Sequence, residues 1–100
     1  MIDRLTGVWL LDGGEGVLLL TTDGWYSMQV AGGTASAGHF GVDGDRFLME
    51  PMVAAPPAAA GHLEERRWTL DGDVLVIDGA DGAHRWHRES TEVVTGLGSD

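Results

Sequence analysis

The chain has 100 residues, 43% of them hydrophobic and none of them Cys, which is enough for one compact core without a disulfide framework. Its formal charge of −10 denies it the basic face that nucleic acid or an anionic membrane surface would require, so neither is expected as a partner. No apolar run approaches the roughly 20 residues of a membrane-spanning helix, and Met1-Ile2-Asp3-Arg4 lacks the basic segment and apolar stretch of a signal peptide, so a cytoplasmic location is expected.

Short apolar stretches separated by Gly and Asp predict eight strands over residues 5–11, 16–21, 25–31, 37–42, 46–53, 62–70, 73–78 and 83–89. The punctuation is Asp12-Gly13, Asp23-Gly24, Asp43-Gly44, Asp71-Gly72, Asp78-Gly79 and Asp81-Gly82. Such pairs suit the type I′ hairpin, whose two central residues both take positive φ. The acidity follows the turns, as half of the acidic residues sit in or beside them, and is therefore read as turn chemistry and solubility.

Segment 54–61, Ala-Ala-Pro-Pro-Ala-Ala-Ala-Gly, is the one long connection, and its prolines forbid a ladder. It reads as a mobile surface loop, with a lid over a barrel mouth as the alternative. One domain over 1–90 is expected, followed by a flexible tail over 91–100, with docking of Val93 and Val94 on the barrel as the alternative.

An eight-stranded meander left open exposes two edges, so closure into an all-β, antiparallel up-and-down barrel is expected. A barrel of eight strands has a lumen either filled by side chains or sized for one small ligand. Period-two alternation puts His62, Glu64, Arg66, Trp68 and Leu70 on one face of the sixth strand and His84, Trp86 and Arg88 on one face of the eighth. The bulk of Trp68 and Leu70 points the first set inward. The fourth and fifth strands stay ambiguous, with Phe47 and Met49 set against Leu48 and Met52.

Three motifs carry a family resemblance: Leu5-Thr6-Gly7-Val8-Trp9, the stretch from Thr22-Asp23-Gly24 through Trp25 to Val30, and Trp86-His87-Arg88-Glu89. In order and spacing they resemble the Gly-x-Trp first strand, the Asp-Gly turn with its strand, and the Trp-x-Arg last strand of small bacterial lipocalin-like domains. Stretches 41–45 and 67–75 are similar to that family's repeated turn pattern, although the Pro-Ala loop departs from its usual crossover. The absence of Lys and Asn, with abundant Gly and Ala, matches the coding bias of a GC-rich bacterial genome. The resemblance implies a lipocalin-like barrel whose floor pairs Trp9 with Arg88, a contact that cation–π stacking also favours.

An inward face with Glu64, Arg66, Trp68, His84 and Trp86 has the make-up of a small-molecule site. The leading reading is a carrier for a small, largely apolar ligand, lined by Tyr26, Met28, Val30, Arg66, Trp68 and Trp86, with Arg66 available to a carboxylate or enolate. A rim ion pair between Glu64 and Arg66 is the plain alternative. The second reading is a cofactor-independent cyclase or isomerase of specialised, polyketide-like metabolism, with Glu64 or His84 as acid or base and Tyr26 as donor. The third is a packed barrel serving as an interaction module, with an exposed β edge or Trp25 mediating homodimerisation or partner binding.

No metal site is expected. His84 and His87 stand three apart and face opposite ways, while His39 and His62 lie on separate strands. Some related barrels bind haem through one histidine, but no cofactor is expected here because nothing marks an axial ligand. Ser27, Ser36, Ser90 and Ser99 lack the strand-turn-helix setting of a nucleophile, and Gly13-Gly14 and Gly32-Gly33 fall in hairpin turns rather than before a helix.

Overall fold

A computed structural model describes residues 2–30, 35–55, 61–79 and 82–90. A 3-10 helix over Ile2–Leu5 leads into β1 (Gly7–Leu11), β2 (Gly16–Leu20), β3 (Trp25–Val30) and β4 (Ala35–Asp43). There follow β5 (Arg46–Ala55), β6 (Glu64–Asp71), β7 (Val74–Gly79) and β8 (Gly82–Ser90). All neighbours are antiparallel, and β1 pairs with β8, so the meander closes into an eight-stranded barrel. Closure removes the free terminal edge that one dimerisation reading required. Among the described residues no helix is long and apolar enough to cross a membrane.

The strands follow the apolar runs, with differences at their ends. Leu5 belongs to the 3-10 helix rather than to the first strand, and it is buried against the barrel end. The fourth strand extends in both directions, and the fifth runs on through Ala54 and Ala55, which the sequence assigns to the Pro-Ala loop. The sixth begins at Glu64, leaving His62 exposed outside it. The remainder of that loop at 56–60, Gly32-Gly33, Asp81 and the tail at 91–100 lie outside the described residues, so the lid and the docked tail are not described.

The turns use different geometry from the type I′ expectation. Among the described residues no non-Gly residue has positive φ, so the Asp of each described pair keeps an ordinary backbone. In the β4–β5 and β6–β7 hairpins, Asp43 pairs with Arg46 and Asp71 with Val74. The central residues are therefore Gly44-Asp45 and Gly72-Asp73, with φ of 62° at Gly44 and 61° at Gly72. Positive φ at the first central position alone is the type II′ requirement. In these two hairpins the Asp of the Asp-Gly pair is the last residue of its strand, one position earlier than a type I′ turn would have it.

Inward-facing Trp9, Leu18, Leu20, Tyr26, Phe40, Phe47, Met49, Leu75, Ile77 and Trp86 form one buried core with Leu5. The ambiguous strands resolve with Phe47, Met49 and Pro51 inside, while Met52 is exposed. A bulge makes that assignment possible: Ala37 pairs with Val53 but Gly38 pairs with Pro51, so Met52 is the extra residue. Gly38 is required there, because a Cβ would overlap the Glu50 carbonyl oxygen.

The floor is sealed where the chain enters and leaves. The Arg88 guanidinium lies 4.4 Å from the centroid of the Trp9 ring, as the sequence resemblance implied. Its three nitrogens donate to Asp73 Oδ1 at 3.0 Å, the Thr6 carbonyl at 2.6 Å and the Arg4 carbonyl at 2.7 Å. The Trp9 indole N–H donates to the Leu5 carbonyl at 2.9 Å, so one stacked pair holds both the 3-10 helix and the last strand. Gly7 has φ of 148°, and a Cβ there would strike the Ser90 carbonyl oxygen, so only Gly lets β1 approach β8 this closely.

Candidate functional site

The inward face divides into a sealed half and an accessible half. The floor and middle are filled by the buried core, whereas Leu11, Met28, Val30, Ser36, Glu64 and Arg66 are only partly covered. These residues lie toward the C-terminal ends of β1 and β3 or the N-terminal ends of β4 and β6, which the alternating strand directions bring to one end of the barrel. They form a mouth opposite the Trp9–Arg88 floor. Its wall is apolar on the β1 and β3 side and polar between β3, β4 and β6.

The polar side is built across three strands. Tyr26 is buried through its ring and extends its hydroxyl to Ser36 Oγ at 3.0 Å. Arg66 Nη2 donates to Glu64 Oε1 at 2.9 Å, and Arg66 Nη1 donates to the Glu65 carbonyl at 3.1 Å. The Glu64 and Arg66 side chains are each 31% exposed, so the pair reaches water without leaving the inward face. Burial raises the Tyr26 phenol above its usual pKa of 10.0, the Ser36 hydrogen bond opposes the shift, and the Glu64 carboxylate adds to it. Tyr26, Ser36, Glu64 and Arg66 are therefore one electrostatically connected group.

Strand geometry explains how charges come to sit on an inward face. Residues 64–67 of β6 pair with β5, and residues 68–71 pair with β7. No ladder joins the first half of β6 to β7 among the described residues, so the described β6–β7 pairing stops short of Glu64 and Arg66. Solvent reaching this seam lowers the desolvation cost that an ion pair within a closed wall would incur.

The residues expected from sequence are only partly brought together. Tyr26, Met28, Val30, Glu64 and Arg66 share the mouth. His84 belongs to the rim on β8, where it is exposed and a Cβ at Gly79 would meet its ring. Trp86 is buried in the core, opposite Leu11 on β1 and Leu75 on β7. Trp68 sits toward the floor, where its indole N–H donates to the Gly44 carbonyl of the β4–β5 turn at 2.9 Å. His87 points away from His84 toward Asp12, with Nδ1 3.7 Å from its carboxylate.

Ser36 is the member that sequence reasoning missed. As a nucleophile it has no supporting context, and its part here is to partner a phenol ten residues earlier across a β3–β4 pair whose register places Met28 opposite it. The usable signal was alternation in 35–42, which puts Ser36 on the same face as Phe40.

The site sets hydrogen-bond donors and acceptors beside partly covered apolar side chains. It can orient a carbonyl, hydroxyl or acidic oxygen with the Tyr26 phenol and the Arg66 guanidinium, while Met28, Val30 and Leu11 contact hydrocarbon. No protein-family model matches the chain, and no curated protein matches it in sequence.

Proposed function

We propose that the barrel binds one small, largely apolar organic molecule at its mouth, with a polar head at Tyr26, Ser36, Glu64 and Arg66. The supporting observation is the division of the inward face: core residues below, and above them partly covered apolar side chains facing a connected polar group. This is the arrangement expected of a lipocalin-like carrier, as the sequence resemblance implies. The ligand enters apolar end first, against the buried core. Its head remains near the Glu64–Arg66 seam, where water still reaches.

A cyclase or isomerase acting by substrate shaping is the second reading, and the placement of the Tyr26 hydroxyl beside Ser36 on the inward face favours it. A phenol is protonated at physiological pH, and this one can donate a hydrogen bond to a substrate carbonyl or enol oxygen. Glu64 is the adjacent carboxylate that would take up a proton.

Native mass spectrometry of freshly purified protein, followed by denaturation and analysis of released small molecules, tests the binding reading. The expected result is a stoichiometric apolar adduct, or saturable uptake of a hydrophobic fluorescent probe that Met28→Trp blocks by filling the mouth. A protein that carries nothing and takes up no probe would sink the reading. Return of the bound compound unchanged supports a carrier, and a mass-shifted or isomerised product supports catalysis.

A further inference from the structure

Beyond the ligand mouth, the outer surface of the barrel is unevenly built. In an antiparallel barrel with a filled interior, the outward residues are expected to be polar. The outward residues of β6, β7 and β8 include Glu65, Arg67, Asp71, Asp78, Arg85 and Glu89. The first five strands present something different.

One cross-strand row runs Val8, Leu19, Ser27, Ala37, Val53, each paired with the next through the ladders of β1 to β5. A second runs Leu10, Val17, Gln29, Ala35 through β1 to β4. These nine outward positions carry no charge. Val53 is 70% exposed, Leu10 39% and Val17 38%, and the bulge adds Met52 at 55%. β1 and β2 read Gly-Val-Trp-Leu-Leu and Gly-Val-Leu-Leu-Leu, apolar on both faces, the pattern of strands covered on both sides. The face is rimmed by charge, with Asp12, Arg85 and His87 near one border and His39 and Glu50 along another. A largely apolar, uncharged face, crossed on β3 by Ser27 and Gln29 and rimmed by charge, marks an interaction surface.

We infer that this face docks a second copy of the chain, barrel wall against barrel wall, in an isologous dimer. Charge selects the occupant. Two chains of −10 repel each other wherever their acidic surfaces meet, and a two-fold contact sets a patch against itself, so any charge within it would face its own kind. A charge-free face is the surface through which such chains can meet without burying like charges. A basic partner would instead be drawn to the acidic turns and to β6 through β8. The small and β-branched chains of the two rows also form the even surface that sheet-on-sheet packing needs.

Sedimentation equilibrium on the full chain tests the inference, at concentrations up to about 100 μM, where a dimer of micromolar affinity is well populated. The expected mass is twice that of the chain. Val53→Glu and Val17→Glu, both at exposed positions, are expected to give folded monomers by far-ultraviolet circular dichroism, while Thr69→Glu on the far wall leaves the dimer intact. Association is also expected to strengthen between low and moderate salt, as screening relieves repulsion between the acidic copies. A monomer throughout the concentration range, a dimer surviving both patch substitutions, or association that weakens as salt rises would each overturn it. Ligand uptake at the mouth is independent of all three.

Discussion

At the residue scale, two side chains have roles that their neighbours dictate. Arg88 stacks on Trp9 and holds the carbonyls of Thr6 and Arg4, so Arg88→Ala removes a stacked cation and leaves two acceptors without their donor. A loss of about 2–3 kcal/mol is expected from the unpaired carbonyls and lost packing. In a domain of this size that lowers the thermal midpoint by roughly 8–20 °C, readable by circular dichroism. Asp73→Ala is expected to cost under about 1 kcal/mol, because its carboxylate is largely exposed.

Tyr26 is the only tyrosine, so its ionisation can be followed by ultraviolet absorbance without interference from a second phenol. Its midpoint is expected above 10.0, chiefly from burial. Glu64→Gln lowers it by removing a carboxylate that disfavours phenolate, and Ser36→Ala raises it by removing the hydrogen bond that favours phenolate. The linked effect on stability has a definite sign. The folded state holds this proton more tightly, so the contribution is fully present below the unfolded value near 10.0 and is lost as pH rises through the higher folded value. Equal midpoints in all three proteins would show that the phenol does not sense Ser36 or Glu64.

At the scale of elements, turns and bulges separate two kinds of glycine. Gly44 has positive φ and nothing within 4 Å of a Cβ built on it, so Gly44→Ala carries only conformational strain, about 1–2 kcal/mol. Gly38 meets the Glu50 carbonyl, so Gly38→Ala must displace backbone at the β4–β5 bulge and is expected to cost more than Gly44→Ala. Urea denaturation of both variants gives the order, and the reverse order would mean that the bulge yields easily.

Strand identity was legible wherever one face was clearly apolar, as in β6, whose burial alternates strictly from Glu64 to Asp71. It was not legible in β5, where Phe47, Leu48, Met49 and Met52 offer apolar choices to both faces and one bulged residue reverses the alternation. The turn type was misread for a related reason. Asp-Gly marks a reversal, but whether Asp occupies a central position or ends the strand depends on the register of the pairing.

At the scale of the whole molecule, the filled floor and accessible mouth give ligand binding a thermodynamic consequence. A compound bound only by the folded barrel, present at 100 times its Kd, is expected to add about 2.7 kcal/mol of stability. Thermal denaturation with the compound recovered from the protein checks this, and an unchanged midpoint would remove the mouth from consideration. Met28→Trp is expected to abolish the ligand-dependent shift while the unliganded protein stays folded, because Met28 is only partly covered.

By itself the sequence determined the eight strands, the antiparallel meander and the inward face of β6, because period-two alternation and Gly-Asp punctuation act over a few residues, whereas the Trp9–Arg88 contact was implied only by the family resemblance. Tertiary structure alone decided the rest. Closure set β1 beside β8 and wound the pairing rows around the barrel, which carried Trp68 to the floor, Trp86 into the core and His84 to the rim although alternation gives all three one facing. It also brought Ser36 to Tyr26 and joined nine uncharged positions from five strands into one outer face. Depth along the barrel axis depends on strand stagger, and stagger is a property of paired strands that no single strand encodes.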